Sequence, residues 1–132
     1  MSVFFNRVER VNPQHPGTPK RWYAVLKVVN QVAEKEVAKM ISDETTLNRK
    51  EAEMALDQLE KVLINLLLES HSVQLGDWGS FHLTCNSQGH DTREEVTADS
   101  ITKLNIRFTP GKQLREAIAG ANFVPAESLV SK

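Results

Sequence analysis

The feature that most constrains the fold is a long segment, residues 48–70, whose apolar side chains recur at α-helical spacing. Asn48, followed three residues later by Glu51, is typical of a capping box and predicts where this helix begins. Three consecutive leucines at 66–68 make its last turns apolar over more than half of their circumference. Because a surface helix needs only an apolar stripe, the pattern predicts that a second chain covers part of this helix.

The other segments predict an α+β chain. β-forming residues with weak alternation predict two strands before the long helix, at 3–11 and 21–29, joined by a loop with three prolines, and a short helix at 32–41. After the long helix, the pattern predicts strands at 72–75, 80–85 and 101–108, a polar loop at 86–100, a break at 109–111 and a short helix at 113–119. We therefore expect a β extension over 1–31, one domain over 32–120 and a loose tail over 121–132.

Charge is spread unevenly along the chain. The net charge is −1, from 16 basic and 17 acidic side chains, which is unusual for a nucleic-acid-binding domain. Residues 1–31 nevertheless carry five basic side chains and one acidic one, whereas residues 32–71 carry five basic and nine acidic ones. No segment is apolar over the ~18 residues that a membrane helix needs, and the N-terminus does not have the pattern of a signal peptide. The single cysteine favours a reducing, cytoplasmic setting.

No pattern predicts an enzyme, a metal site or a cofactor. His82, Cys85 and His90 are better interpreted as scattered side chains than as metal ligands, since positions 82 and 85 of a strand face opposite ways. Cys85 is expected to be a small buried hydrophobe. The acids at 91–99 lack the apolar surroundings that would shift a pKa, so a solvated acidic loop is expected. Phosphate-loop, dinucleotide and hydrolase motifs are absent from the sequence.

Three short stretches, taken together, resemble the bacterial HU/IHF histone-like family. Residues 47–53 (LNRKEAE) look like the start of its second helix, residues 75–81 (LGDWGSF) like its G-F-G-x-F turn, and residues 108–115 (FTPGKQLR) like its F-K-P-G-K-x-L-K stretch. The resemblance covers roughly residues 32–119, and the first thirty residues resemble the N-terminal β extension of some HU-like proteins. It implies an HU/IHF-like α+β fold: a helix, a turn and a long helix, then a three-stranded antiparallel sheet with a β-arm and a short C-terminal helix. It also implies an intertwined homodimer that binds bent double-stranded DNA in the minor groove, without sequence specificity, in the nucleoid.

The resemblance and the residues together give two sets of candidate site residues. The expected nucleic-acid contacts are Gly79, Ser80, Gly111 and Lys112 at the turn and break, Arg93, Lys103 and Arg107 on the arm, and Lys20 and Arg21 in the extension. The turn and break are expected to expose backbone N–H groups to phosphates, and a lysine at a helix start is better explained as a phosphate ligand. The expected dimer core is Leu59, Leu63, Leu66, Leu67, Trp78, Phe81 and Phe108.

The arm departs from the family pattern. Residues 82–107 contain no proline, whereas the resemblance implies an R-x-N-P tip that wedges between base pairs, and they carry three basic against four acidic side chains. Such an arm should release few counterions, so we expect Lys112, Lys20 and Arg21 to matter more than Arg93. Two alternatives stay open: the arm dominates from the minor groove, or the chain is a structural dimer that has lost DNA bending and contacts proteins.

Overall fold

The computed structural model describes residues 2–129. Its helices and strands, in chain order, are β1 (Ser2–Arg10), β2 (Arg21–Leu26), α1 (Glu34–Glu44), α2 (Arg49–Leu68), β3 (Val73–Leu75), β4 (Gly79–Ser87), β5 (Ile101–Pro110), α3 (Lys112–Ala119) and β6 (Asn122–Pro125). The chain divides into two compact units. The strand unit contains the described residues up to Val32 and from Ile118 onward, and the helical unit contains residues 33–117.

The strand unit is built on a three-stranded sheet in the order β2-β1-β6. β1 pairs with β2 in antiparallel register, from Phe5 opposite Leu26 to Arg10 opposite Arg21, which confirms the predicted pair of strands. β2 ends at Leu26, three residues earlier than the sequence predicted. Its connection to β1 is the proline-rich loop at 11–20.

The predicted loose tail is wrong for the described part of the C-terminal segment. β6 pairs in parallel with β1, with Ser2 opposite Asn122, and a 3-10 turn follows at Ala126–Leu129. Glu127 in that turn forms an ion pair with Arg7 at 3.2 Å. β6 pairs with the edge of β1 that β2 leaves open, so its backbone groups gain hydrogen-bonding partners. Residues 130–132 lie outside the described part of the chain.

The helical unit begins with the two predicted helices. Asn48 caps α2: its side-chain oxygen accepts from the Glu51 backbone N–H at 2.8 Å, and the Glu51 carboxylate accepts from the Asn48 N–H at 3.2 Å. The predicted capping box is therefore confirmed. Ala38 of α1 and Ala52 of α2 are fully or almost fully buried, and small side chains at such positions allow two helices to approach closely.

The second sheet has the order β3-β4-β5 and is antiparallel, as predicted. β5 continues to Pro110, which lies opposite Gly79, so the predicted break begins two residues too early. A proline is tolerated there because it ends an edge strand, where it removes no internal hydrogen bond. Cys85 is exposed rather than buried, because it lies further out along the arm than Phe81 and Leu83, which are half-buried.

The core of the described chain is thin. Ala38, Ala52 and Leu67 are its only buried hydrophobic residues among positions 2–129. Many large apolar side chains of the helical unit are instead exposed, on α2 and on β5. None of the helices in this part of the chain is long and apolar enough to cross a membrane.

Candidate nucleic-acid interface

β4 and β5 form a two-stranded arm whose two faces differ in chemistry. Residues directly opposite each other in an antiparallel pair place their side chains on the same face. The apolar arm face carries the pairs Phe81–Phe108, Leu83–Ile106 and Cys85–Leu104. The polar arm face carries the pairs Ser80–Thr109, His82–Arg107, Thr84–Asn105 and Asn86–Lys103.

The strands of the arm contain no acidic residue. Lys103 and Arg107, their two basic residues, both lie on the polar arm face. The four acids that the sequence places in the arm all fall in the arm tip, which we define as residues 88–100 between the paired strands. The negative excess calculated for the whole arm therefore resides in the tip, and the paired strands are positive.

The arm tip is ordered by hydrogen bonds around Ser100, which is 3% exposed. The Ser100 hydroxyl lies 2.9 Å from His90 Nε2 and accepts from the Thr97 N–H at 3.1 Å. His90 Nδ1 also lies 3.7 Å from a Glu95 carboxylate oxygen. Arg93 shares a 3-10 turn with two acids, at positions 94 and 95, so its charge is locally outweighed. The tip therefore presents a negative surface at the end of a positive arm.

Two glycines at the base of the arm are required by close packing. The Gly111 N–H donates to the Trp78 carbonyl oxygen at 2.9 Å, so the expectation that this N–H is exposed to a phosphate is wrong. A Cβ at Gly111 would lie 2.7 Å from the Asp77 carbonyl carbon and closer still to its oxygen. A Cβ at Gly79 would lie 2.8 Å from the Thr109 carbonyl oxygen and would overlap the Phe108 ring. The lack of a side chain at both positions therefore allows the turn to pack closely against the end of β5.

Lys112 lies in an open groove at the base of the arm. The groove has a volume of about 460 Å³, and its walls include Ser80 and Thr109, which also belong to the polar arm face. Asp77 is the acidic residue among its walls. α3 begins at Lys112, so its first-turn N–H groups, which lack partners within the helix, carry the positive end of the helix dipole. The groove therefore continues the polar arm face towards α3, with the charge of Lys112 balanced by that of Asp77.

The residues expected in a dimer core are only partly covered within the chain. Trp78, Phe81 and Phe108 form an aromatic cluster with ring centroids 5.0–5.9 Å apart. Trp78 is 47% exposed and Phe108 is 42% exposed. On α2, Leu67 is buried, Leu63 and Leu66 are half-buried, and Leu59 is exposed. Exposed apolar side chains remain on one face of the arm and around α2, where Leu59, Val62, Ile64 and Leu68 are all exposed.

The structure distributes the predicted nucleic-acid contacts over both units. Lys20 and Arg21 are exposed in the strand unit, at the start of β2. The remaining candidates belong to the helical unit, where Ser80, Lys103, Arg107 and Lys112 are brought together by the arm and the groove, and Arg93 is set apart in the tip.

One cluster was missed by the sequence reasoning. The carboxylates of Glu34, Asp57 and Glu60 lie within 4.8 Å of one another and are exposed; they are the one group of potential metal ligands in residues 2–129. A side-chain hydrogen bond to Asp57 raises the pKa of Glu34, and desolvation and the charges of Asp57, Glu60 and Glu53 raise it further. The three-residue spacing of 57 and 60 places them on one helix face, but only the packing of α1 reveals Glu34 beside them.

A helical hairpin, a three-stranded antiparallel sheet with a projecting arm and a short closing helix define an HU/IHF-like DNA-binding protein. The chain belongs to the HU-HIG family, described as an HU domain fused to a wHTH, Ig or glycine-rich motif, whose family model matches residues 1–125. The resemblance inferred from the sequence is therefore confirmed.

Individual proteins agree with this assignment. The chain is 31% identical over 87 residues to integration host factor subunit alpha of Xanthomonas campestris and of Stenotrophomonas maltophilia, a match that covers 63% of this chain and 86% of each relative. Its fold is similar to that of Anabaena HU in a cocrystal with DNA, with a TM-score of 0.54, 17% identity and coverage of 67% of this chain and 99% of that one.

The strand unit also has a counterpart. A putative DNA-binding protein of Bacteroides vulgatus matches with a TM-score of 0.67 and 16% identity over 95% of this chain. The present chain spans about half of that protein, since the match covers 48% of its length. The likeness therefore extends to a fold that includes the N-terminal extension.

Proposed function

We propose that this chain binds double-stranded DNA as a homodimer, without sequence specificity, and contributes to nucleoid architecture in the bacterial cytoplasm. The observation that carries the proposal is the polar arm face, which bears Lys103 and Arg107 and no acid and which continues into the groove that holds Lys112. Basic side chains along one face can neutralise the phosphates of a duplex. Phosphate contacts position a protein on DNA without reading its sequence.

The contacts follow from this placement. Arg107, Lys103 and Lys112 supply the charge, Ser80 supplies a hydroxyl group, and the first turn of α3 supplies backbone N–H groups. Gly79 and Gly111 shape the base of the arm rather than contact DNA. Lys20 and Arg21 add a second positive surface in the strand unit. Arg93 contributes least, because the acids of the tip surround it.

The homodimer is supported by the apolar surface that the single chain leaves open. Ile106 is 56% exposed and Leu104 is 54% exposed on the apolar arm face, while only three hydrophobic residues of the described chain are buried. Large contiguous apolar surfaces mark interaction sites, and a thin core is typical of a chain that folds with its partner. A second copy presents the same surfaces. Packing the two α2 helices against each other, and the apolar arm face of one chain against a helix of the other, covers the apolar surfaces of both the arm and α2.

Light scattering tests this assembly. We expect a mass of twice the 14.8 kDa of the chain at micromolar concentration, and a folded monomer would contradict the proposal. Ile106→Lys should break the dimer by placing a charge in the interface. Val96→Lys is the matched control, because Val96 has the same 56% exposure but lies in the arm tip.

Fluorescence anisotropy with a labelled duplex at several salt concentrations tests the DNA contacts. Replacing Arg107 and Lys103 by glutamine should reduce affinity for every sequence alike, and the log–log salt slope should fall by about 0.9 for each phosphate that is no longer neutralised. Lys35→Gln removes a cation from the exposed side of α1 and should leave the slope unchanged. Linear, nicked and four-way DNA are compared in the same assay.

The second candidate is a structural dimer that contacts proteins instead of DNA. The acidic arm tip favours it, since four acids in thirteen residues repel a phosphate backbone. Absence of DNA binding at low salt, with the dimer intact, would select this candidate over the first.

A further inference from the structure

Two arginines face each other in the strand unit without an acidic partner. Arg10 ends β1 and Arg21 begins β2, and the two are directly opposite in the antiparallel register. Side chains placed this way have Cβ atoms about 5 Å apart, and like charges there are destabilising. Within residues 2–129 neither guanidinium forms an ion pair. The sequence contains no acid from Arg10 to Ala33, and Glu9, which precedes Arg10, is paired with Trp22 and so lies on the opposite face of the strand pair.

The same two arginines line a pocket with a volume of about 330 Å³. Its other walls include Asn12 and His15 from the loop at 11–20 and Tyr23 from β2. These side chains add hydrogen-bond donors beside the two guanidinium groups: the amide of Asn12, the imidazole of His15 and the hydroxyl of Tyr23.

The loop that closes the pocket is held in one shape by its own hydrogen bonds. The Asn12 side-chain oxygen accepts from the Gln14 N–H at 3.0 Å, which leaves the Asn12 amide group free to donate. The His15 carbonyl accepts from both the N–H and the hydroxyl of Thr18, at 3.0 and 2.7 Å. Three prolines, at 13, 16 and 19, restrict the loop further. The pocket is therefore organised before any ligand binds.

We propose that this arginine pocket binds a phosphate group. Two guanidinium groups from neighbouring strands line this one pocket, and guanidinium forks bind the non-bridging oxygens of a phosphate through charge-assisted hydrogen bonds. The negative charge also removes the repulsion between Arg10 and Arg21. If the chain binds DNA as proposed above, the ligand is a backbone phosphodiester of the duplex, held by the strand unit while the arm holds other phosphates.

Thermal unfolding of the full chain tests the pocket without DNA. Inorganic phosphate should raise the Tm of the parent protein above its value in chloride at the same ionic strength, because a ligand that binds only the folded state stabilises it. Because phosphate also stabilises folded proteins by exclusion from their surface, Arg10→Gln should keep only a smaller rise than the parent, and in chloride it should unfold at a higher temperature than the parent. Lys27→Gln is the control: it removes a cation from the strand unit outside the pocket walls and should keep the rise. Equal phosphate responses of the parent and Arg10→Gln would overturn the proposal.

DNA titrations identify the source of the phosphate. Arg10→Gln should lower the log–log salt slope by about 0.9 per chain, whereas Lys27→Gln should not. If phosphate stabilises the parent more than it stabilises Arg10→Gln but the slope is unchanged, the pocket binds free phosphate and its role in DNA binding is refuted. If the parent binds no DNA at all, the proposed function fails, and the phosphate experiment still decides the pocket.

Discussion

Replacing Gly111 by alanine should destabilise the base of the arm. The new Cβ would lie 2.7 Å from the Asp77 carbonyl carbon and 3.2 Å from the Gly79 nitrogen. Because carbon contacts are favourable only near about 3.5–4 Å, the turn must move away by about 1 Å. That movement stretches the 2.9 Å hydrogen bond from the Gly111 N–H to the Trp78 carbonyl beyond hydrogen-bonding range.

The magnitude follows from these two effects. Loss of the hydrogen bond costs about 1 kcal/mol and the overpacking about 1–3 kcal/mol, while the lower entropy of the unfolded alanine chain returns about 0.4–1 kcal/mol. We therefore expect Gly111→Ala to lower the free energy of unfolding by about 2 kcal/mol, or the Tm by roughly 10 °C for a unit of this size. Urea denaturation at fixed protein concentration measures the difference.

Gly89→Ala is the matched control for this substitution. Gly89 lies in the arm tip, and a Cβ added there would meet nothing within 4 Å. This variant should be as stable as the parent or up to about 1 kcal/mol more stable. If Gly111→Ala were within about 0.5 kcal/mol of Gly89→Ala, the close approach of the turn to Gly111 would not be a structural requirement, and the reasoning would be refuted.

Two further substitutions test the helical hairpin. Asn48→Ala should lower the free energy of unfolding by about 1 kcal/mol, because it removes the cap of α2, whereas Asn48→Gly should cost only a few tenths in the same urea experiment. Glu34→Gln should raise the Tm at pH 7, because the raised pKa of Glu34 means that its charged form destabilises the fold. That advantage should shrink as the pH falls through the raised pKa and vanish below the ordinary value of about 4.3; an advantage independent of pH would contradict the cause.

The sequence was sufficient for the elements whose signals are local. The helical period and the Asn48–Glu51 capping box identified α2, and alternation identified β1 and β5. Most of β4 was predicted as the continuation of the strand after the turn at 76–79. β6 was missed because four residues are too few to show a period and its partner, β1, lies about 120 residues away in the chain.

The candidate site was predictable in its members but not in its charge pattern. Lys103 and Arg107 were named from the sequence, but the boundary between strand and tip depends on which residues pair. A net charge summed over 82–107 therefore concealed a positive arm with a negative end. The same limit applies to Gly111, whose N–H partner, Trp78, belongs to the turn before β4.

If the chain binds DNA as the homodimer proposed above, the two faces of the arm make dimer formation and DNA binding depend on each other. Since side chains alternate along a strand, the register that places Ile106 on the apolar arm face also places Arg107 and Lys103 on the polar arm face. In the proposed homodimer, a second chain covers the apolar face and leaves the polar faces of two arms available to a duplex. Ile106→Lys should therefore weaken DNA binding even though it adds a positive charge, which by electrostatics alone would strengthen it.

Anisotropy with a labelled duplex, read beside light scattering, decides this last point. Val96→Lys adds the same charge in the arm tip without touching the dimer surface, so its affinity should equal or exceed that of the parent. An Ile106→Lys monomer that bound DNA as tightly as Val96→Lys would show that single arms suffice and that the apolar face serves assembly alone. Loss of both the dimer and DNA binding in Ile106→Lys, while Val96→Lys keeps both, shows that DNA binding depends on the dimer.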